Sequence, residues 1–365
     1  MDPTAGRESR AFDLSRGEIP WGVVSSHLEC LDAGAVLRRG FNYSSPDGLE
    51  DLRELFVDRF ATCALHVDDT LVTGGALGAL DLALRALLRD RPAARLVVLE
   101  PTYREALGIA RGIGLPVVGW NDLAGVLRRD DVVYVVSTFN NPDGRTISAA
   151  ERDHLAAAVV EADAALIEDA AYDLLAAVSP DLAPGVCAAV TRRRGNAWAL
   201  RLMSFSKTVV PGARVCVVEG SAGALAAMRT VKFDFGTSPV ACALVTELVR
   251  DPQTLDRHLA LMRERLECGH AAADQAFRAW HRPPSVVGAG YFLWLPSSHM
   301  SSTEAAGRAT AVGVRVSDGA PFFVDHRPTH LRLSMAWEPA ERIHEACLRL
   351  EQSVAAPNDL PEETP

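Results

Sequence analysis

No apolar run in this sequence approaches the roughly 18 residues that span a bilayer. The start, Met1 to Arg16, mixes charges without the apolar core of a secretory signal. Cysteine is sparse and never arranged as C-x-x-C. The seven thiols (Cys30, Cys63, Cys187, Cys216, Cys242, Cys268, Cys347) stand far apart, so a structural zinc or iron–sulfur centre lacks its ligand pattern. The ten histidines include no H-E-x-x-H, and no metal is expected. An odd, scattered set of cysteines without a leader reads as reduced thiols in a cytoplasmic protein. Basic charge is also short, with 37 Lys and Arg against 47 Asp and Glu, for a net charge of -10. Such a chain has no general attraction to nucleic acid or to anionic membranes, and neither is expected as a partner.

What is present suits a globular chain: 48% hydrophobic and 23% charged over 365 residues, enough for about two domains. From Leu71 to about Val217, short apolar runs alternate with helical stretches. The runs are Arg95–Glu100, Val132–Ser137, Ala164–Glu168, Ala197–Ser204 and Arg214–Glu219, and Ala76–Leu88 and Ala149–Val160 carry apolar residues at helical spacing. Strands that are apolar throughout and separated by helices imply an α/β fold with a mostly parallel central sheet between helices. A long amphipathic helix is expected over Asp256–Arg282, then strands at Tyr291–Leu295, Val314–Ser317 and His330–Ala336, and a last helix at Pro339–Val354. These form a smaller α+β domain. The expected organisation is an N-terminal segment 1–40 packing with the small domain, a large domain 41–250, the small domain 251–354, and a frayed tail 355–365.

Lys207 stands out because it directly follows the apolar run that ends in Ser204-Phe205-Ser206. Its ammonium must find water or a partner there. Ser204 and Lys207 spell S-x-x-K, the serine nucleophile of penicillin-recognising enzymes, but the companions S-D-N and K-T-G are missing: the chain offers only Ser317-Asp318-Gly319 and Lys207-Thr208-Val209. The other reading is a Schiff-base lysine for an aldehyde cofactor such as pyridoxal phosphate (PLP). That chemistry needs an acid at the ring nitrogen, and Asp169 follows an apolar run. It also needs an anion site, which Gly74-Gly75-Ala76 at a helix start and Arg214 could form. The dinucleotide alternative fails, because Gly112-Ile113-Gly114 lacks the third glycine of G-x-G-x-x-G.

With these residues in place, the chain resembles the class I/II aminotransferases of PLP fold type I, in order, from about Asn42 to Ala336. Tyr43 to Arg53 is similar to the family's Y-x-x-x-x-G-x-x-x-L-R segment, whose tyrosine reaches the neighbouring subunit's cofactor phosphate. Thr73-Gly74-Gly75-Ala76-Leu77 resembles the phosphate-binding turn, and Glu100-Pro101-Thr102-Tyr103 the segment whose aromatic ring stacks on the pyridine. Asn140-Asn141-Pro142-Asp143-Gly144 is similar to N-P-x-G, with aspartate for the commoner threonine. The resemblance gives Asn141 the cofactor's phenolic oxygen and a place at the substrate. Asp169-Ala170-Ala171-Tyr172 fits D-x-x-Y, with Asp169 on the ring nitrogen and Tyr172 on the phenolic oxygen. Ser204, Ser206 and Lys207, with Arg214 seven residues on, resemble S-x-S-K…P-G-x-R. Arg332 in His330-Leu331-Arg332-Leu333-Ser334 matches the arginine that clamps the substrate carboxylate, and Gly17 lies in the weakly matching segment that closes over the substrate.

The resemblance implies a homodimeric, PLP-dependent aminotransferase that moves an amino group between an L-amino acid and a 2-keto acid, with Lys207 as Schiff base and general base. The same residues serve other fold type I reactions: cyclisation as in capreomycidine synthase, β- or γ-elimination, and decarboxylation. A further class is the aminotransferase-like sensing module fused to a winged helix. The residues before Tyr43 are read here as too few for such a domain and linker.

Overall fold

The computed structural model describes residues 11–29, 31–120, 126–176, 185–234, 236–278, 290–297, 300–325 and 329–354. They form two compact units: residues 21–140 with 145–262, and residues 1–20 with 141–144 and 263–365. The expected tail 355–365 and the end of the long helix, 279–282, lie outside the described residues.

The large unit is built on seven strands: β1 (Thr70–Thr73), β2 (Arg95–Leu99), β3 (Val117–Trp120), β4 (Asp131–Val136), β5 (Ala165–Asp169), β6 (Ala199–Ser204) and β7 (Cys216–Gly220). Their order in the sheet is β1-β7-β6-β5-β4-β2-β3. All run parallel except β7, which is antiparallel to both β1 and β6. The direction of β7 follows from its connection. The short link from Ser204 to Cys216 leaves no room for a crossover helix, so the chain returns beside β6. Strands β4 to β7 are buried at every residue, as their unbroken apolar runs require. Strands β1 and β3, outside the expected set, are only four residues long.

One face of the sheet carries Val97, Val133, Leu166 and Ala199 side by side. They pack on Leu155, Ala156 and Val159 of helix Ala149–Glu161 and on Val186 and Val190 of helix Val186–Arg193. Ser148 caps the first of these helices through a reciprocal pair with Glu151, fixing its start where the helical spacing begins.

The units divide the chain at points other than those expected. Residues 21–40 belong with the large unit, where helix Ala33–Gly40 packs on helix Pro239–Arg250. Gly40 makes this possible, because a Cβ there would meet the backbone of Val240 at 2.5 Å. At the other boundary, helix Pro252–Phe277 continues through the division at 262/263 without interruption, so composition marks nothing there.

The small unit pairs Phe12–Asp13 in parallel with Val314–Arg315. A second sheet has the antiparallel order Ser317–Asp318, His330–Ser334, Phe292–Pro296. The single strand expected over Val314–Ser317 is therefore two short strands in different sheets. Helices Ser302–Ala311 and Ala340–Val354 pack against each other, and Phe12, Ile343, Cys347 and Leu350 are buried.

Candidate active site

The large unit gathers most of the expected residues at the carboxyl ends of its parallel strands, where open α/β sheets bind ligands. Gly74 and Gly75 follow β1, Tyr103 follows β2, Asp169 ends β5, and Ser204 to Lys207 end and follow β6. Arg214 stands two residues before the antiparallel β7 and so arrives at the same edge.

The anion end is built from backbone and one guanidinium. Helix Gly75–Asp90 begins at Gly74 without a side-chain cap, so its first N–H groups are not taken up by a capping side chain. Gly75 has φ +85°, and a Cβ there would lie 2.6 Å from Nη2 of Arg214. Ala76 sits in the first turn of the same helix. Arg214, itself left-handed at φ 52°, donates from Nη1 to Ser206 Oγ at 3.0 Å. Ser204 Oγ accepts from the Ser206 N–H at 3.2 Å, tying the two serines of the motif together. Glycine, uncapped helix start, hydroxyl and guanidinium lie together as groups suited to an anion, and a side chain at position 75 would collide with the guanidinium.

The acid end is buried. Glu168 and Asp169 are neighbours on β5, so their side chains leave opposite faces of the sheet. Glu168 turns toward the helical face and accepts from the N–H groups of Val186 and Cys187 at 3.0 and 2.9 Å, with Arg152 beside it. Asp169 faces the other way and accepts from Tyr134 Oη at 2.8 Å and from the Ala171 N–H at 3.2 Å. Burial pushes the Asp169 carboxyl up to about 6, against the hydrogen bonds from Tyr134 and Ala171 and the positive charge of Lys207. Lys207 is half-buried. Its neighbour Thr208 is held by His258, whose Nε2 lies 2.9 Å from the Thr208 carbonyl. Tyr103 and Tyr172 lie close enough to Tyr134 to help keep its hydroxyl un-ionised.

In the small unit, Arg332 forms a second cluster. Its guanidinium donates to Asn141 Oδ1 at 3.0 Å, to the Ser15 carbonyl at 2.7 Å and to Ser317 Oγ at 2.8 Å. The rings of Phe292 and Phe322 flank it at 4.4 and 5.3 Å. Arg332 takes the Asn141 carbonyl oxygen, so a further partner of that amide would meet its NH2, a donor. Gly17 lies two residues beyond Ser15 on the segment that Arg332 holds. Tyr43 is exposed at 87%.

Tyr134, His258 and Ser15 were not singled out by sequence, and Ser317 was weighed only as a failed S-D-N element. Tyr134 had a signal: it carries the only polar side-chain atom in Val132–Val136, and a buried phenol needs a partner. The other three act through single contacts that no spacing announces. Among the described residues no His, Cys, Asp and Glu group could hold a metal, and no helix is long and apolar enough to cross a membrane.

Comparison with known proteins agrees with this geometry. The chain is similar to the 2-aminoadipate transaminase of Thermus thermophilus, 28% identical over 92% of this chain and 88% of that protein. It is also similar to an uncharacterized HTH-type transcriptional regulator, YisV of Bacillus subtilis, 24% identical over 78% of this chain. The chain spans only about three fifths of that regulator's length, 60%. Its fold matches the crystal structure of LysN, the α-aminoadipate aminotransferase of Thermus thermophilus, with a TM-score of 0.80 at 23% identity over 94% of this chain and 92% of that one. The model of the family described as aminotransferase class I and II matches residues 20–350. With strand order, strand-end lysine and buried aspartate already in agreement, this match makes the chain a member of the class I and II aminotransferase family.

Proposed function

We propose that this chain is a PLP-dependent aminotransferase that moves an amino group between an L-amino acid and a 2-keto acid, working as a homodimer. The observation that carries the reading is that a half-buried lysine, a buried carboxylate and a glycine–arginine anion cradle share one edge of one sheet. The residues fit the cofactor. A phosphate suits the bare backbone at Gly75 beside Arg214, and a protonated ring nitrogen suits a buried carboxylate. The solved structure of LysN, described as a complex with N-(5'-phosphopyridoxyl)-L-leucine, supports the same group.

When bound, PLP supplies an aldehyde that condenses with amines and a ring that draws electrons from the substrate α-carbon. Lys207 would hold the cofactor, and its Nζ would then take and carry the substrate α-proton as general base. Asp169 would keep the proton on the ring nitrogen. By the family resemblance, Asn141 and Tyr172 would serve the phenolic oxygen and Tyr103 the ring face. Gly75, Ala76, Ser204, Ser206 and Arg214 would hold the phosphate. Arg332 takes the α-carboxylate through its planar fork, held by Phe292 and Phe322, with Gly17 lining the substrate. That fixed pairing orients the scissile bond.

Assembly has its own support. Phe41, Tyr43 and Phe233 are 83%, 87% and 88% exposed, and Leu37 is also exposed. Exposed aromatic surface of this kind suits an interface, with Tyr43 reaching the partner's cofactor phosphate. Six free thiols among the described residues suit the cytoplasm.

The test supplies PLP, a panel of L-amino acids and either 2-oxoglutarate or pyruvate, and identifies products by mass. Steady release of the matching keto acid is expected. Uptake of PLP with a cyclic, decarboxylated or eliminated product would move the chain to another reaction of the same family. The second reading is a ligand-sensing module, favoured by the likeness to helix-turn-helix regulators. Binding of an amino acid without turnover would establish it.

A further inference from the structure

Tyr134 sits in the middle of β4, fully buried among valines. The register explains its reach. Tyr134 pairs with Ile167 on β5, and Asp169, two residues further, leaves the sheet on the same face. Phenol and carboxylate therefore meet diagonally across adjacent strands, at 2.8 Å. We propose that Tyr134 is the positioning residue of the acid end, fixing one oxygen of Asp169 and holding the carboxylate ionised for the cofactor's ring nitrogen; this rests on the PLP reading above.

The hydrogen-bond inventory supports the role. A carboxylate offers about four lone-pair directions. Tyr134 occupies one on Oδ2 and the Ala171 N–H one on Oδ1, so both oxygens are anchored and each keeps a direction to spare. Several charged or titratable groups face Asp169. Lys207 favours its ionised form, Asp173 opposes it, and Cys216 is kept a thiol by burial and by Asp169 itself. Of the influences that hold the carboxyl down against burial, the Tyr134 hydroxyl is the largest. Tyr134 remains a donor over the working pH range. Burial first, then Asp169, Tyr103 and Tyr172, push its own ionisation well above the ordinary value.

The experiment is a carbon-13 NMR titration of the Asp169 carboxyl in the cofactor-free protein, in the parent and in Tyr134→Phe. The variant should move the midpoint up by about one pH unit, the scale of a lost hydrogen bond to a charged group. It should also weaken PLP binding about fivefold to tenfold. In an Asp169→Asn background, Tyr134→Phe should weaken PLP binding no further, because its effect passes through Asp169. An unchanged midpoint, or an equal loss in the Asn background, overturns the role. If Tyr134→Phe fails to fold, uniform replacement of the five tyrosines by fluorotyrosine keeps the shape. Its more acidic phenol should lower the Asp169 midpoint, and no movement overturns the role. A parent that takes up no PLP overturns the reading beneath the proposal, whereas an unmoved midpoint overturns Tyr134 alone.

Discussion

Two ends of the large unit's site hold charge in opposite ways. At the anion end, Arg214 is exposed beside the open backbone of Gly75 and the first turn of a helix. Its guanidinium stays in contact with water. At the acid end, Asp169 is buried, and Tyr134, Ala171 and Lys207 oppose the burial that works against its charge. An interaction in that drier setting is stronger than the same interaction near solvent. The acid end is therefore the tunable one, and the anion end the geometric one.

The comparison breaks most completely at Lys207, which serves both ends. Lys207→Ala should lower turnover by about 10⁴-fold, the upper range for a lost general base, and borohydride should no longer label the peptide that carries position 207. Retained labelling elsewhere would move the reactive lysine. Asp169→Asn attacks the acid end alone. It should slow deuterium exchange at the substrate α-carbon by about 10²–10³-fold, several kcal/mol of lost charge stabilisation. Exchange as fast as in the parent would remove Asp169 from the ring.

A third measurement needs no cofactor. Asp169 is raised to about 6 from its ordinary 3.8, so between those values the folded chain binds a proton more tightly than the unfolded one. Its contribution is best below about pH 4 and falls as pH rises through 6, by about 3 kcal/mol in all. Urea midpoints of parent and Asp169→Asn should diverge accordingly over that window. Parallel pH profiles would show the acid end to be less buried than it is here. The smallest effect belongs to the anion end. Gly75→Ala must displace Arg214 and hold φ +85° with a side chain, so PLP should bind about tenfold more weakly. The Asp169 titration should stay in place, which separates the two ends.

The anion end was the more legible in sequence. Glycines before a helical stretch, paired serines and an arginine at fixed distance are local features, and the backbone conformations they require are set within a few residues. The acid end was legible only in part. Asp169 was found by its motif, but its neighbour Glu168 is also a buried carboxylic side chain. The edge strands were also lost. Val117–Trp120 is only half-buried, so it lacks the continuous apolar run that marked β4 to β6. The direction of β7 could have been read from the short link before it.

The sequence alone determined the alternation of strand and helix, the strand-end position of Lys207 and the ordered motifs, because each depends on neighbours close along the chain. Tertiary structure decided which acid faces the site, since strand register and sheet face settle that Glu168 caps a helix while Asp169 meets Tyr134. It also decided that Arg332 holds Asn141, 191 positions away. Such a contact has no local signature, because the partner's distance along the chain is set by the fold's connections and not by any periodicity.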